Sequence, residues 1–142
     1  MQVEGIFQDS RGYIWIGTRG GLSRFNGETF ENILLKDGLP SQYVIRIDED
    51  SQGNIWIGCG KGIAKYDGQQ LEIFPIDTIS LRDMAVDDKD RVWFTDNHKQ
   101  LLVLEGGLIK PFPLEQHQKP IMLHFNDVEK RLYISFYGKG IA

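Results

Sequence analysis

The residues of this sequence that could do chemistry are three histidines, a single cysteine and two loop segments. His98, His117 and His124 have neither the spacing of a zinc motif nor a patterned carboxylate partner, so we expect surface histidines. Cys59 has no histidine that can be named as its base, which favours a small strand-end residue over a nucleophile. The sequence therefore predicts no catalytic residue, no metal site and no cofactor.

The two loop segments only partly match phosphate-binding and calcium-binding motifs. Gly58–Gly62 contains a Gly-Lys pair, but no Ser or Thr follows Lys61 and no helix is predicted after it. The acidic run Asp48–Gly53 would need a glutamate at the twelfth position of a calcium loop, which Cys59 occupies. We interpret both segments as turns.

An internal repeat positions these turns. Asp9–Gly17 reads DSRGYIWIG and returns as DSQGNIWIG at Asp50–Gly58, 41 residues later. In a third copy Trp93 stands 37 residues after Trp56, and in a fourth Tyr133 replaces the tryptophan, 40 residues further on. A period near 40 with short strand patterns and no helical periodicity is typical of β-propeller blades.

The repeat predicts the fold class and the blade boundaries. We expect an all-β chain forming a β-propeller fragment of about three and a half four-stranded antiparallel blades. The predicted blades span residues 3–34, 43–75 and 81–113, with an incomplete fourth blade at 121–142. Since closing a ring takes about 4 to 8 blades, the open end sheets should pair with remaining blades of a longer chain or with a second copy.

Each unit also carries a predicted structural core. The turn aspartate can accept a hydrogen bond from the backbone N–H two residues on, and the turn glycine can adopt positive φ. Asp90 and Lys130 replace that glycine in the later units, which keep an aspartate (Asp127 in the fourth), so a looser or left-handed turn is expected there. Ile55–Ile57 is apolar on both faces, so the aromatic rings should pack between blades. The predicted core residues are Trp15, Trp56, Trp93, Tyr133, Gly12, Gly53, Asp9 and Asp50.

The loop charges predict a binding face. Loops between first and second strands are acidic, whereas those between second and third strands carry Arg19, Lys61, His98, Lys99 and Lys139. In a propeller these sets lie on opposite faces, and the blade-to-blade linkers open on the basic side with His124 near the channel. Ordinary turn chemistry explains the same pattern. As a functional hypothesis, the basic face would bind an anionic ligand such as an acidic oligosaccharide. Its candidate residues are Arg19, Tyr43, Lys61, Arg82, His98 and Lys99.

The repeats resemble a known family, the two-component regulator propeller repeats of bacterial hybrid histidine kinases. The resemblance rests on Asp9–Gly17 and Asp50–Gly58, on Gly21, Leu22 and Phe25, and on the linker Asp37–Ser41. It implies a periplasmic or other extracytoplasmic location, a ligand that is often glycan-derived, and a signal passed to a kinase. Any histidine kinase activity would belong to a region outside this sequence.

Composition agrees with a folded domain and excludes some partners. Over 142 residues, 41% hydrophobic and 25% charged residues are typical of a globular protein, which excludes disorder. A net charge of −4 and a pI near 5.3 argue against nucleic-acid binding. We find no signal peptide and no apolar stretch that would place this segment in a membrane.

These observations favour a non-catalytic, ligand-sensing propeller module. The first alternative is a structural or protein-interaction propeller whose partners bind the same loops or the open edge of the end blade. The second is a carbohydrate-active enzyme fragment. That alternative lacks its motif, since the sialidase-type Asp box has Asp two residues before Gly, whereas Asp9 precedes Gly12 by three.

Overall fold

The computed structural model describes residues 3–33, 35–76, 80–138 and 140–141, and these ranges form an all-β structure. A single turn of 3-10 helix, Leu35–Asp37, interrupts the strands. The predicted blade ends at residues 34 and 142, and Lys139 of the basic set, lie outside the described residues. No helix in the described ranges is long and apolar enough to cross a bilayer.

The first two sheets have four strands each. The first comprises β1 (Val3–Gln8), β2 (Ile14–Thr18), β3 (Gly21–Phe25) and β4 (Phe30–Ile33). The second comprises β5 (Val44–Glu49), β6 (Ile55–Cys59), β7 (Gly62–Tyr66) and β8 (Leu71–Pro75).

The third sheet again has four strands and the fourth has three. The third comprises β9 (Leu81–Val86), β10 (Val92–Asp96), β11 (Leu101–Glu105) and β12 (Leu108–Phe112). The fourth comprises β13 (Pro120–Asn126), β14 (Arg131–Phe136) and β15 (Gly140–Ile141).

Every sheet is an antiparallel meander in sequence order, and the repeat keeps its register. Trp15 lies opposite Phe7 on the first strand of its sheet, Trp56 opposite Asp48, and Trp93 opposite Ala85. The first strands β1, β5, β9 and β13 contact one another in that order. Successive sheets therefore stack face to face around their innermost strands, as propeller blades do, which confirms the predicted fold class.

The tryptophans fill the spaces between sheets. Trp15 is 1% exposed and packs against Val44, Ile47 and Ile57 of the second sheet. Trp56 is buried in the next cluster, and Trp93 in the cluster formed with the fourth sheet. Tyr133 is only half-buried. Burial of the three indole rings between apolar sheet surfaces stabilises the contacts between neighbouring blades.

The predicted backbone conformation of the turns between first and second strands is correct, but the residue predicted to accept hydrogen bonds in the fourth turn is not. Gly12 and Gly53 have φ of 93° and 81°, and the replacements Asp90 and Lys130 adopt φ of 60° and 57°. These two residues thus occupy the left-handed region that favours glycine.

The prediction that Asp127 begins the fourth turn is wrong. Asn126 is the residue whose Oδ1 accepts the backbone N–H groups of Val128 and Glu129, at 3.0 and 2.9 Å. The turn is one residue longer than in the other units, since its acceptor stands seven positions before the aromatic Tyr133 and the acceptor of each other unit stands six positions before its tryptophan. A short amide side chain serves this turn as well as a carboxylate does.

Candidate functional site

The loops between second and third strands lie beside the linkers that join consecutive sheets. The N–H of Gly60 donates to the carbonyl of Tyr43 at 3.0 Å, and the N–H of Leu81 donates to the carbonyl of Gly60 at 3.0 Å. In the third sheet the N–H of Asn97 donates to the carbonyl of Ser80 at 2.9 Å. We call this side the upper face. Arg19, Tyr43, Lys61, Arg82, His98 and Lys99 all lie on it and are exposed.

A groove of about 480 Å³ opens on the upper face where the innermost strands of three sheets begin. We call it the mouth groove, and its walls include Glu4, Tyr43, Arg46, Gly60, Leu81 and Arg82. The volume falls within the ~300 to 1,000 Å³ usual for small-molecule sites. The fold therefore brings the predicted Tyr43 and Arg82 into one concave surface.

Arg19 borders this groove through Tyr43. Its guanidinium lies 5.2 Å from the centre of the Tyr43 ring, and its Nε donates to Glu4 Oε1 at 3.1 Å. The hydrogen bond to Glu4 raises the pKa of Arg19, with a smaller contribution from Tyr43. Arg19 thus orients the tyrosine ring while part of its charge is matched by Glu4.

Sequence reasoning missed the ion pair of Arg46 with Asp83. Arg46 Nε donates to Asp83 Oδ1 at 2.7 Å, and that oxygen also accepts the N–H of Met84 at 2.8 Å. Asp83 Oδ2 accepts the N–H of Leu123 in the fourth sheet at 2.8 Å. Asp83 is 2% exposed, so it fixes the Arg46 guanidinium at the groove wall. The sequence did contain a signal for this pair, because Arg46 and Asp83 are charged residues within strands that were predicted to be the innermost of their blades.

A second groove of about 300 Å³ lies between the third and fourth sheets on the upper face. We call it the lateral groove, and its walls include Arg82, Asp96, Lys99, Pro120, Ile121 and Tyr137. Lys99 Nζ lies 5.2 Å from the centre of the Tyr137 ring. Arg82 lines both grooves and therefore lies between them.

The remaining predicted residues do not line the mouth groove or the lateral groove. Lys61 and His98 are exposed on loops of the upper face and are absent from the walls of both grooves. His124 is exposed on β13. His117 Nε2 lies 3.4 Å from Glu115 Oε2 in an exposed linker.

The opposite, lower face carries an acidic groove of about 330 Å³, whose walls include Asp48, Glu49, Asp50, Asp87, Asp90 and Asp127. Several of these carboxylates serve the fold. The hydroxyl of Ser10 donates to Glu49 Oε2 at 2.6 Å, and that of Ser51 donates to Asp90 Oδ2 at 2.6 Å, each from one sheet to the next. Across the described ranges, histidine, cysteine and acidic side chains form no group of three or more arranged to hold a metal ion.

Cys59 is buried and its chemistry is suppressed. Burial raises the pKa of its thiol to about 12. A reactive cysteine needs an accessible thiolate near neutral pH. Cys59 is therefore a packing residue of β6.

A protein-family model matches two segments of the chain. The model of the family described as "Two component regulator propeller" matches residues 1–20 and 38–61. No curated protein sequence matches the chain at a significant level. The resemblance seen in the first two units is thereby confirmed for these segments.

Solved structures share the fold at low sequence identity. The extracellular domain of BT4673 from B. thetaiotaomicron, described as a hybrid two-component system, superposes with a TM-score of 0.79 at 16% identity, covering 99% of this chain and 21% of that chain. PorZ of Porphyromonas gingivalis, a surface component of the type-IX secretion system, has a TM-score of 0.73 at 17% identity, covering 99% and 25%. A protein described as a gluconolactonase has a TM-score of 0.73 at 13% identity, covering 98% and 58%. The chain thus spans about a fifth of the length of that extracellular domain.

Proposed function

We propose that this chain, whose residues 1–20 and 38–61 are two-component regulator propeller repeats, is a ligand-sensing module of a signal-transduction sensor and catalyses no reaction itself. Its propeller is of the kind found in extracellular sensor domains, which supports an extracytoplasmic, periplasmic location. In this proposal the kinase output lies in another region of the protein, and further blades or a second copy cover the end sheets.

The observation that carries the proposal is the convergence of Tyr43, Arg46 and Arg82 on the mouth groove. The aromatic ring offers a flat surface for the C–H face of a sugar, and the two guanidinium groups offer planar pairs of donors for a carboxylate or sulfate. Because Arg46 is already held by buried Asp83, its position is set before a ligand arrives. An acidic oligosaccharide fits these features best.

A structural or protein-interaction propeller is the second candidate, and the open face of the first sheet favours it. Ile6 and Phe30 on that face are 70% and 62% exposed. Exposed apolar surface of this kind is typical of interaction sites. An enzymatic function has no comparable support, since the similarity to the gluconolactonase is one of fold.

The ligand proposal is tested by screening the full-length protein on an array of acidic and neutral oligosaccharides. We expect binding to acidic members, and we expect Tyr43→Ala and Arg82→Ala each to weaken it about ten-fold or more, the loss of one good polar or stacking contact. Lys61→Ala is the matched control because Lys61 is a cation on the same face outside both grooves. Equal losses in all three variants, or no binding to any acidic glycan, would contradict the proposal.

A further inference from the structure

The two outermost sheets expose the two halves of a contact that the inner sheets make with each other. In each sheet one surface carries the aromatic residue of the repeat and the other carries aliphatic residues, and we call them the aromatic face and the aliphatic face. Trp15 on the aromatic face of the first sheet packs with Ile47 and Ile57 on the aliphatic face of the second. Trp93 of the third sheet packs with Leu123 of the fourth in the same way. Within the described ranges, the first sheet therefore keeps an uncovered aliphatic face and the fourth sheet keeps an uncovered aromatic face.

The aliphatic face of the first sheet is mostly apolar. Val3, Ile6 and Phe30 on it are 51%, 70% and 62% exposed, and the Phe30 ring lies 4.6 Å from the ring of Phe25. Strand alternation and register place on this face Val3, Ile6, Gln8, Ile14, Ile16, Ser23, Phe25, Phe30 and Asn32. Covering these side chains with another sheet would remove a large apolar area from water.

The aromatic face of the fourth sheet carries groups that suit such a surface. Tyr133 takes the position of the tryptophans and lies opposite His124, while Ser135 lies opposite Met122. Met122 is 53% exposed, and His124 is exposed as well. A phenol ring, an imidazole and a thioether all pack well against aliphatic side chains. The two outer faces of the chain are therefore complementary to each other.

The charges on the two faces do not oppose this contact. None of the residues on the aliphatic face of the first sheet is charged. On the aromatic face of the fourth sheet, Arg131 takes the position of Arg91, whose guanidinium lies 5.4 Å from the centre of the Trp93 ring. The contact between the third and fourth sheets thus already accommodates a cation at this position.

Position in the repeat also specifies which residues would meet. A Cβ atom placed on Gly17 would lie 3.2 Å from the Cβ of Val44 in the second sheet. Val44 begins β5 as Val3 begins β1, and Ser135, like Gly17, stands two positions after its aromatic residue. Thr95 holds this position in the third sheet and donates its hydroxyl to a carbonyl of the fourth sheet at 3.2 Å, so a larger side chain fits there. A repeated contact would place Ser135 of one copy against Val3 of another.

The number of sheets suits a ring made of two copies. One chain provides four sheets, and closed propellers have about 4 to 8 blades. The β-propeller domain of Cps50 (Swd1) from Myceliophteria thermophila superposes with a TM-score of 0.71 at 14% identity, covering 99% of this chain and 52% of that chain. One chain thus corresponds to about half of a propeller domain.

We propose that two copies of this chain associate head to tail into one closed ring, in which the aromatic face of each fourth sheet packs on the aliphatic face of the other copy's first sheet. Such a contact joins different surfaces of the two copies, and a ring of two leaves neither outer sheet uncovered. The inference goes beyond the proposed ligand-sensing function and does not depend on it, since no residue of either face lines the mouth groove or the lateral groove.

The test is oxidative cross-linking of the 142-residue chain. The variants Val3→Cys and Ser135→Cys are purified separately, checked for folding by circular dichroism, mixed in equal amounts and oxidised. We expect a disulfide-linked product of two chains, because a disulfide joins Cβ atoms about 3.5 to 4.5 Å apart, close to the separation at the matching positions of the first and second sheets. Neither variant should cross-link alone, since a head-to-tail contact never brings two copies of one position together. Cys59 does not interfere, because it is buried and the pKa of its thiol is raised to about 12.

Val128→Cys is the matched control for Ser135→Cys. Val128 also belongs to the fourth unit, but it is 93% exposed on a turn outside the aromatic face. Its mixture with Val3→Cys should give no linked product. Sedimentation velocity of the wild-type chain should show a species of two chains and none larger.

Each other outcome overturns the proposal. Linked product from Val3→Cys alone would mean that two first sheets pair with each other. Equal yields with Val128→Cys and Ser135→Cys would mean that exposed apolar surfaces meet in no fixed register. Species larger than two chains would exclude the closed ring. A chain that stays monomeric, or folded variants that form no cross-link, would leave the outer faces to further blades or to another protein.

Discussion

At the residue scale, the spacing of six between the turn aspartate and the tryptophan has a direct physical cause. Asp50 Oδ1 accepts the N–H groups of Gln52 and Asn54, at 3.0 and 2.9 Å, which closes the turn. Its Oδ2 accepts the indole N–H of Trp56 at 3.0 Å. Asp9 with Trp15 and Asp87 with Trp93 repeat this arrangement. One carboxylate thus satisfies the turn and the polar atom of the buried ring together.

The hydrogen bonds decide the ionisation of this carboxylate. Burial alone would raise the pKa of Asp50, but hydrogen bonds from Asn54, Trp56 and the turn backbone outweigh burial and lower the pKa below its ordinary value. The pKa of Asp87 is lowered in the same way, with Trp93 and Arg91 as donors. Asp48 behaves oppositely, because burial raises its pKa more than the N–H groups of Val86 and Glu49 lower it.

We predict that Asp50→Asn lowers the free energy of unfolding at pH 7 by about 1 to 3 kcal/mol, since its amide N–H₂ would face the indole N–H of Trp56. Because the folded-state pKa of Asp50 is lowered, the ionised carboxylate stabilises the fold above the unfolded-state pKa of about 3.9, and this contribution disappears as pH falls through the folded-state value. Urea unfolding at several pH values from 7 to 2 should show a smaller acid-induced loss in Asp50→Asn than in wild type.

The control for this measurement is Asp88→Asn, an exposed carboxylate of the next turn. It should leave stability at pH 7 within about 0.5 kcal/mol of wild type. The opposite contribution of Asp48 is common to all three proteins and cancels in the comparison. If Asp50→Asn had wild-type stability at pH 7 and lost as much stability as wild type on acidification, the hydrogen bonds of the Asp50 carboxylate would not stabilise the fold.

At the scale of elements, neighbouring innermost strands belong to different sheets and share no ladder of backbone hydrogen bonds. Two carboxylates join them instead, and of these Asp48 is half-buried and Asp83 is buried. Asp48 on β5 accepts the N–H of Val86 on β9 at 2.9 Å, and Asp83 on β9 accepts the N–H of Leu123 on β13 at 2.8 Å. Asp83 also holds Arg46 of β5, so it connects three consecutive sheets. Asp48 and Asp83 therefore fix how far each innermost strand is shifted along its neighbour, in addition to the packing between the blades.

We predict that Asp83→Ala lowers the free energy of unfolding by about 2 to 4 kcal/mol, because the N–H of Leu123 and the Arg46 guanidinium both lose their acceptor. Chemical denaturation measures this loss directly. Glu31→Ala is the control, since Glu31 pairs with Arg24 at an exposed site, where such pairs contribute at most about 1 kcal/mol. Similar losses in both variants would show that Asp83 acts as an ordinary surface charge.

At the scale of the whole molecule, the first sheet presents an open face that has a buried counterpart in the second. Ile6, Ile14 and Ile16 correspond, after a shift of 41, to Ile47, Ile55 and Ile57. The latter three pack in the cluster that contains Trp15, whereas Ile6 is 70% exposed. The open face of the first sheet is therefore shaped for another tryptophan-bearing blade or an equivalent apolar surface.

We predict that the 142-residue chain on its own associates in a concentration-dependent manner through this face. The double variant Ile6→Glu, Phe30→Glu should shift sedimentation velocity profiles towards the monomer, because charges would be buried in the contact. Val128→Glu is the control, since Val128 is 93% exposed on an isolated turn. Association that persists in the double variant, or that Val128→Glu abolishes equally, would place the contact elsewhere.

Part of the candidate site follows from loop position alone. Arg19, Tyr43 and Lys99 belong to turns and linkers, and Arg82 is the second residue of β9. Strand order sets the side of the propeller on which these positions lie, so the sequence indicates their common face. It also groups Lys61 and His98 with them, although neither lines a groove. Loop position specifies a face, whereas the direction of a side chain within that face depends on its neighbours.

The repeat, the all-β propeller architecture, the turn acceptors of the first three units and the intersheet tryptophans are determined by the sequence itself, because each depends on residues within one period of about 40. The tertiary structure alone decided the Arg46–Asp83 pair and the two grooves. These features depend on how side chains from different sheets meet, and that relation departs from the repeat. Contacts that are not repeated from blade to blade leave no periodic signal in the sequence. Such contacts make one part of a repeated fold different from the others.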